Sequence, residues 1–260
     1  YNRRLRFVFY GKRWNVKPST LGANVDVDWA VQQVLKASPR QHLSLRVDVD
    51  EGLIQRYVRA LDARLTVPAE DAAASLAGLR PVVHAGKPGL KLNLLKTRQR
   101  LESALALAYR PLLRPAARTV APAVTRNGFG ALVVIYRGSN VLHLYKGDQA
   151  WRTFRVATGQ AIYPTPTGSF TVVDKQRDPW WRPPNSDWAK GLKPIPPGPG
   201  NPLGTRWMGI SASGVGMHGT PDAASIGYSA SHGCIRMQIP DAEWLFDHVR
   251  LGTPVFIVNA

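Results

Sequence analysis

Cysteine is nearly absent from this sequence, since Cys234 is the single cysteine among 260 residues. One thiol excludes a disulfide within the chain and a zinc site that uses several thiolates. Cysteine is often a small, buried and inert residue, yet its thiolate is also a strong nucleophile. The residues around Cys234 therefore decide whether it is a core position or a reactive one.

Long hydrophobic runs are also missing. The longest, Ala131–Tyr136 and Pro254–Val258, have the length of strands. They fall far short of the roughly 20 apolar residues that a membrane-spanning helix needs. The chain shown starts at Tyr1 rather than Met, and a signal peptide or membrane anchor upstream of it is left open.

Acidic residues are scarce, because 17 Asp and Glu stand against 34 Lys and Arg and leave a net charge of +17. Residues 1–125 carry +12 of this charge and residues 126–260 carry +5. Such a surplus predicts attraction to a polyanion. No helix-turn-helix, zinc-finger, RNA-recognition or KH signature is present, which argues against nucleic acid. We expect the first half to hold an anionic surface such as cell-wall polymers; a well-solvated basic surface is the alternative.

A break in composition divides the chain into two predicted domains, residues 1–126 and 127–260. Prolines punctuate the stretch from Pro111 to Thr125, which is typical of a linker, and Asn127–Gly128 is a turn signal. In the first half, alternating apolar residues from Leu43 to Val49 predict a strand, and helical spacing from Leu53 to Leu61 predicts a helix. Asn93 is placed to cap a second helix. The pattern predicts a small α+β domain.

The second half is predicted to be mostly β-structure with a short helix. Turn residues separate three strands of a meander, and Ser169–Val173 predicts a fourth strand. A segment rich in Pro, Gly and Trp follows over Pro179–Leu203, and a loop of this length is typically functional, often a lid. A helix that starts at Asp241 and a strand at Pro254–Val258 close the domain. The meander strands are predicted at Leu132–Tyr136, Val141–Tyr145 and Trp151–Thr158.

Two short motifs carry the chemistry, Met217-His218-Gly219-Thr220 and Ser231-His232-Gly233-Cys234-Ile235-Arg236-Met237. A thiol attacks a carbonyl as the thiolate, which its ordinary pKa of about 8.5 makes scarce at neutral pH. A histidine within hydrogen-bond reach removes the proton. His218 and Cys234 lie 16 residues apart and can meet on neighbouring strands. We therefore expect Cys234 to be the nucleophile and His218 its base.

The residues that flank Cys234 suggest supporting roles. Gly233 has no side chain, so a substrate carbonyl can approach backbone N–H groups that stabilise an oxyanion. Arg236 can lower the pKa of the thiol or hold a substrate carboxylate; pairing with Asp222 is the alternative. The sequence leaves three roles for His232, as a second base, as an orienting group or as a residue without a role in the chemistry.

These motifs resemble the signature of the L,D-transpeptidase catalytic domain of bacterial cell-wall enzymes. The resemblance covers about residues 128–260 and includes Ile226-Gly227 between the two motifs. It also includes the segments before and after the predicted lid, Thr165-Pro166-Thr167-Gly168-Ser169-Phe170 and Asn201-Pro202-Leu203-Gly204-Thr205-Arg206.

The resemblance implies a two-step acyl transfer. Cys234 attacks the carbonyl of the third residue of a tetrapeptide stem and expels D-alanine, and the thioester then passes to the side-chain amine of another stem. His218 is the base, the Gly219 carbonyl orients it, and the N–H groups of Gly233 and Cys234 form the oxyanion hole. The substrate is expected to contact Arg236, His232, Ser231 and Tyr228. No cofactor or metal is implied, and acylation by carbapenems is expected.

The first half more weakly resembles a peptidoglycan-binding domain, over Leu76–Leu95 and the exit to Thr125. The resemblance places the protein in the cell envelope, outside the cytoplasmic membrane. Its expected partners are peptidoglycan stem peptides, as donor and acceptor, and anionic wall polymers.

Three competing hypotheses remain. Water can replace the amine as acceptor, which makes the protein an L,D-carboxypeptidase, although the tryptophans of the lid favour a covered site. A zinc site from His218, His232 and Cys234 lacks an obvious fourth ligand. A non-catalytic wall-binding protein would use only the basic half, and its binding would weaken with salt.

Overall fold

The computed structural model describes residues 3–43, 46–107 and 109–260. Its contacts divide the chain into two units. Unit 1 comprises Tyr1–Asp71 and Lys87–Ala123, and unit 2 comprises Ala72–Gly86 and Val124–Ala260.

The helices of the described residues are α1 (Val27–Lys36), α2 (Glu51–Leu65), α3 (Leu94–Ala106) and α4 (Ile239–His248). The strands are β1 (Leu5–Phe9), β2 (Lys12–Val16), β3 (Asn24–Val25), β4 (Val47–Asp48), β5 (Ala73–Ala77), β6 (Arg80–His84), β7 (Gly89–Leu92), β8 (Leu112–Leu113), β9 (Ala117–Val120), β10 (Ala131–Tyr136), β11 (Val141–Lys146), β12 (Gln149–Arg155), β13 (Thr158–Gly159), β14 (Gly168–Arg177), β15 (Arg206–Ile210), β16 (Gly216–Thr220), β17 (Ser229–Ser231), β18 (Ile235–Gln238) and β19 (Pro254–Val258). None of the helices in this described part of the chain combines the length and the apolar character that crossing a bilayer requires.

Unit 1 is an α+β unit built around α2 and α3. The Asp50 carboxylate accepts the Leu53 N–H at 2.9 Å, and the Asn93 side chain accepts the Lys96 N–H at 3.0 Å, so each helix begins at a side-chain cap. Both predicted helices and the Asn93 cap are confirmed. The buried faces of α2 and α3 pack with β1 in one apolar core, which includes Leu5, Phe7, Ile54, Val58, Leu101 and Leu105.

Two features of unit 1 differ from the sequence prediction. The strand predicted over Leu43–Val49 shortens to Val47–Asp48, with Leu43 and Val49 exposed and Leu45 outside the described residues. Helix α1 was not predicted, and none of its ten residues, all described, is buried. An apolar pattern identifies a helix most securely where that face is buried, and α1 buries none of it.

Unit 2 is organised by an eight-stranded mixed sheet in the order β12-β11-β10-β19-β14-β15-β16-β18. Strands β10, β11 and β12 form the predicted antiparallel meander, although β12 ends at Arg155. Asn140 and Gly147 take positive φ angles of 54° and 63° at its two turns. The closing strand β19 pairs parallel to β10 and antiparallel to β14. Helix α4 begins at Ile239, two residues before the predicted start.

Strand β10 is buried on both faces. Val133 and Ile135 belong to the large core cluster that includes Leu245 of α4, whereas Leu132, Val134 and Tyr136 belong to a second cluster. The continuous apolar run of β10 is therefore explained by burial on two sides, as is usual for a central strand.

The second cluster is covered by the β5–β6 hairpin, which comes from the first half of the sequence. Ala74 and Leu76 pack against the cluster, and the Tyr136 hydroxyl donates to the Leu79 carbonyl at 2.6 Å. The predicted boundary after residue 126 lies close to the crossing between units at Ala123–Val124. It assigns the hairpin to the first domain, whereas the contacts group the hairpin with the sheet. As a boundary between independently folding domains it stays a prediction.

We expect Leu76→Ser to destabilise unit 2 by about 1–2 kcal/mol, because the side chain covers apolar surface of the sheet. Leu79→Ser in the same hairpin is the matched control, since Leu79 is 49% exposed. Its effect should stay within about 0.5 kcal/mol. Urea unfolding measures both variants, and equal effects would show that the hairpin does not stabilise the sheet through Leu76.

Candidate active site

Strands β16 and β18 run parallel and bring the two sequence motifs side by side. Met217 pairs with Ile235, and His218 pairs with Arg236. Met217 and Ile235 are fully buried in the core, so the alternation of side chains along a strand places His218 and Arg236 on the opposite face. Cys234 stands two residues before Arg236 and continues that face. Cys234, His218 and Arg236 all line one cleft of about 1180 Å³.

The imidazole of His218 is held in one tautomer. Its Nδ1 lies 2.6 Å from the Gly219 carbonyl oxygen, which can only accept, so Nδ1 carries the proton and Nε2 is left as the basic nitrogen. Burial lowers the pKa of His218 to about 4, the Gly219 carbonyl opposes this, and the charge of Arg236 lowers it further. The ring is therefore a neutral base at neutral pH.

Trp207 forms one wall of the imidazole site. It is the antiparallel partner of His218 across β15 and β16, and the two rings stack at a centroid distance of 5.9 Å with 30° between their planes. The indole lies flat over Gly216, where an added Cβ would stand 2.5 Å from the ring. Gly216 thus allows the close approach that shields the imidazole. The sequence motifs did not reveal this residue, because its role depends on strand register.

The thiol of Cys234 is half-buried and donates weakly to the Gly214 carbonyl, with Sγ 3.5 Å from the oxygen. Burial raises the pKa of the Cys234 thiol, whereas the Gly216 N–H and the charge of Arg236 lower it. Since burial disfavours both the thiolate and the imidazolium, we infer that the resting pair is a neutral thiol and a neutral imidazole rather than an ion pair.

The turn before Cys234 is tied by hydrogen bonds. Gly233 has a φ of +110°, which favours glycine, and its N–H donates to the Ser231 hydroxyl at 3.1 Å. The Ser231 hydroxyl in turn donates to the Cys234 carbonyl at 2.6 Å. The Thr165 hydroxyl donates to the Gly233 carbonyl at 3.0 Å. The N–H that the sequence assigned to an oxyanion hole is therefore already engaged, and Thr165 is an anchor that the motif gave no reason to single out.

The other predicted substrate contacts fall in different places. Ser231 is 1% exposed and acts within the turn. Arg236 pairs with Asp222 at 3.4 Å, the alternative that the sequence left open, yet it still lines the cleft. Tyr228 is 67% exposed and is not among the described residues that line the cleft. His232 lines the cleft and is exposed on its rim.

The loop Pro179–Leu203 connects β14 to β15 and lines the cleft, as expected of a lid. Trp181 and Ile195 exchange two backbone hydrogen bonds of 3.0 and 2.9 Å, which close its base. The buried Asn201 side chain donates to the carbonyls of Pro179 at 2.7 Å and Pro196 at 3.1 Å and accepts the Leu203 N–H at 2.8 Å. Hydrogen bonds to backbone groups therefore hold the base of the lid together.

The tip of the lid reaches the nucleophile turn through aromatic rings. Trp188 stacks on His232 at a centroid distance of 4.1 Å with 19° between planes, and Tyr163 contacts the same imidazole at 5.0 Å. His232 therefore connects the lid to the residue next to Gly233. Within the described ranges, no three His, Cys, Asp or Glu side chains are grouped so that they could hold a metal ion. The zinc hypothesis for His218, His232 and Cys234 thus has no geometric support.

Comparison with known proteins identifies matches to both halves of the chain. Residues 130–257 match the sequence model of the L,D-transpeptidase catalytic domain. Residues 14–109 match the model described as "Putative peptidoglycan binding domain".

Individual proteins are similar to parts of the chain. The "Putative L,D-transpeptidase YqjB" of Bacillus subtilis (strain 168) is 33% identical over 132 residues, which are 49% of this chain and 70% of that protein. The "Putative L,D-transpeptidase YkuD" of the same strain is 32% identical over 125 residues, 48% of this chain and 64% of that protein. A solved L,D-transpeptidase from Mycobacterium smegmatis has a TM-score of 0.43 and 19% identity, over 74% of this chain and 99% of that chain.

The buried imidazole predicts a pH-dependent stability. The pKa of His218 is about 4 in the folded chain and ordinarily 6.5, so between these values the unfolded chain binds a proton that the folded chain does not. Stability should therefore fall as the pH decreases from 6.5 to 4, by at most about 3 kcal/mol, with no further loss from this group below pH 4. The difference in unfolding free energy between wild type and His218→Gln, measured by urea unfolding across this range, isolates the effect.

Trp207→Leu tests the cause of this dependence. Removing the indole admits water to the imidazole, so the pKa of His218 should rise towards 6.5 and the pH-dependent loss should shrink. Trp180→Leu is the control, because Trp180 lines the same cleft but is 52% exposed. NMR titration of the imidazole measures both, and an unchanged pKa in Trp207→Leu would contradict the role of the wall.

Proposed function

The chain belongs to the L,D-transpeptidase family, and from this premise we propose that unit 2 cross-links peptidoglycan stem peptides through a Cys234 thioester. One observation supports the proposal above all others. Cys234, the neutral imidazole of His218 and residues of the lid all line one cleft, beside which β16 and β18 pair. Since Nδ1 of His218 donates to the Gly219 carbonyl, Nε2 is the basic nitrogen. This arrangement suits acyl transfer by a thiol and a general base.

The first step forms the acyl-enzyme. Nε2 of His218 accepts the thiol proton while Sγ of Cys234 attacks the carbonyl of the third stem residue. Because burial disfavours a lasting imidazolium, proton transfer accompanies the attack. The tetrahedral intermediate then expels the amine of the terminal D-alanine, which takes the proton from Nε2. The products are a thioester, free D-alanine and a neutral imidazole.

The second step releases the product. The side-chain amine of a second stem attacks the thioester, Nε2 accepts a proton from that amine, and the C–S bond breaks. The proton passes to the departing sulfur, which restores the thiol and leaves a peptide bond between the third residues of two stems. Water in place of the amine would instead give a tripeptide and an L,D-carboxypeptidase.

The oxyanion is assigned to the N–H groups of Cys234 and Gly233. The Gly233 N–H donates to Ser231 in this structure, so the substrate oxygen has to compete with that hydroxyl. Removing one oxyanion donor typically costs about 3 kcal/mol of activation free energy. We propose that Gly233 is required because its positive φ directs the N–H into this turn.

Substrate carboxylates are assigned to Arg236. Its guanidinium lines the cleft and is 22% exposed, while its ion-pair partner Asp222 is 58% exposed. A pair of 3.4 Å with one exposed member is weak, and a stem carboxylate can replace it. His232 belongs to the lid contact, and we assign Ser231 to the turn rather than to the substrate.

The remaining assignments follow from the family. A peptidoglycan substrate places the protein in the cell envelope. Residues 14–109, most of which belong to unit 1, match a peptidoglycan-binding model. Unit 1 would hold the wall, and the positive charge of residues 1–125 suits anionic polymers. A wall-binding protein without catalysis is the second candidate, favoured by that same charge.

Intact-mass spectrometry after incubation with a carbapenem, and separately with a tetrapeptide stem, tests the nucleophile. Wild type should gain one adduct and release D-alanine, because the thiol becomes acylated. Cys234→Ala should gain none, and its turnover should fall by at least about a thousandfold. His218→Gln keeps the thiol, and its acylation should slow by about 10²–10⁴. A folded wild type with a reduced thiol that forms no adduct would leave the non-catalytic protein as the better hypothesis.

Trp188→Ala tests whether the lid decides the acceptor. Loss of the stack on His232 should loosen the tip and admit water, so the ratio of tripeptide to cross-linked dimer should rise about 2- to 10-fold. Trp180→Ala, in the same lid, should leave the ratio unchanged because Trp180 is 52% exposed. Chromatography of the products from tetrapeptide alone gives the ratio. Equal effects of the two substitutions would show that the Trp188–His232 stack does not determine whether water or an amine is the acceptor.

A further inference from the structure

Unit 1 contains a groove of about 770 Å³ that the proposed chemistry of unit 2 does not use. One wall is a single stripe of α3, where Lys96, Arg100 and Ser103 follow at helical spacing, and Leu107 extends it just past the end of the helix. The other wall is the segment 111–114, which leads out of that helix and includes β8.

The charged side chains that line the groove, among the described residues, are all positive. Lys96, Arg100 and Arg114 are exposed, and the lining that the described residues form contains no carboxylate. The acid of α3, Glu102, is paired with Arg98 at 2.7 Å and is not part of the lining. Lys96 and Arg100 stand four residues apart on one helix face, where like charges repel. This repulsion remains in the free protein and is relieved when an anion binds.

The groove is also ordered and apolar at its floor. The Arg100 guanidinium donates to the Arg114 carbonyl at 2.7 Å, which fixes one cation against the opposite wall. Leu107 and Leu112 line the groove and are 38% and 48% exposed. Buried Leu113 and Ala104 complete the floor. The combination requires a ligand that presents both carboxylates and small apolar groups.

We propose that this groove binds a peptidoglycan stem peptide. A stem peptide carries both alanine methyl groups and free carboxylates, so its methyl groups would contact the leucines while its carboxylates meet Lys96, Arg100 and Arg114. A polymer of phosphates alone would leave the apolar floor unused. The assignment rests on the proposed peptidoglycan substrate and adds a second binding site for it, in the other unit.

Binding of a soluble muropeptide with free stem carboxylates to the full chain tests the groove. Cys234→Ala is the background, so that turnover does not consume the probe. The triple variant Lys96→Gln, Arg100→Gln, Arg114→Gln should bind about tenfold more weakly at fixed salt. A muropeptide whose stem carboxylates are amidated should bind the wild-type groove about as weakly as the variant binds the free acid.

The matched control is the triple variant Lys12→Gln, Arg56→Gln, Arg59→Gln. It removes one lysine and two arginines that are exposed in unit 1 and lie outside the groove lining. Its affinity should change less than twofold. Thermal unfolding should show that the groove variant stays folded, because the repulsion that its substitutions remove offsets the lost Arg100 bond to the Arg114 carbonyl. If the groove variant does unfold, backbone NMR shifts of the wild-type chain on titration locate the muropeptide instead.

Each other result overturns the assignment. Equal losses in the two triple variants would mean diffuse attraction to a basic surface, and no loss in either would place the ligand elsewhere. Equal binding of the amidated probe would exclude carboxylate recognition. Groove-dependent binding to walls that carry phosphate polymers, but not to walls stripped of them, would assign the groove to those polymers. In a chain that keeps Cys234, the groove substitutions should leave acylation by a carbapenem unchanged. Failure of the groove assignment can therefore be distinguished from failure of the proposed chemistry.

Discussion

The parallel pairing of β16 with β18 is the constraint on which the site depends. It places His218 opposite Arg236 and turns Met217 and Ile235 into the core, so that the same ladder which closes the hydrophobic cluster also turns the imidazole to the cleft that Cys234 lines. A shift of one residue would exchange the two faces and bury the imidazole in the core. Core packing therefore sets the faces on which His218 and Cys234 lie, and the hydrogen bonds of Ser231 and Thr165 hold the turn before Cys234.

Burial on this face explains the electrostatics of the pair. The Trp207 wall and the surrounding strands exclude water from the imidazole, and its Nδ1 donates to the Gly219 carbonyl. A charged imidazole is then unfavourable, as is an isolated thiolate, so the protein stores a base and an acid in their neutral forms. In the mechanism that we propose, proton transfer is coupled to attack on the substrate, so the unliganded site carries no reactive thiolate.

Local features were predictable from the sequence, whereas features that depend on distant pairing were not. Asn93 caps α3 because the interaction spans three residues, and the turns of the β10–β12 meander follow from Asn140 and Gly147. The motifs around His218 and Cys234 identified the candidate pair because each motif is a short local sequence, although the strand pairing that brings them together is not local. The β5–β6 hairpin could not be assigned to the sheet of unit 2, because the alternation of residues along a strand does not predict which surface the strand packs against. The Trp207 wall could likewise be predicted only from the strand register, and the Ser231–Gly233 hydrogen bond only from the rotamer of Ser231.

The lid combines two kinds of attachment that differ in strength. At its base, Asn201 and the Trp181–Ile195 pair satisfy backbone groups that would be costly to leave unpaired once buried. At its tip, Trp188 contacts His232 only through stacked rings, an interaction that costs little to break. The tip can therefore open while the base stays closed, so the cleft becomes accessible without unfolding of the loop. Because the tip rests on His232, the residue beside Gly233, we propose that a substrate which displaces Trp188 also disturbs the turn that holds the Gly233 N–H. Substrate entry would then promote release of that donor from Ser231.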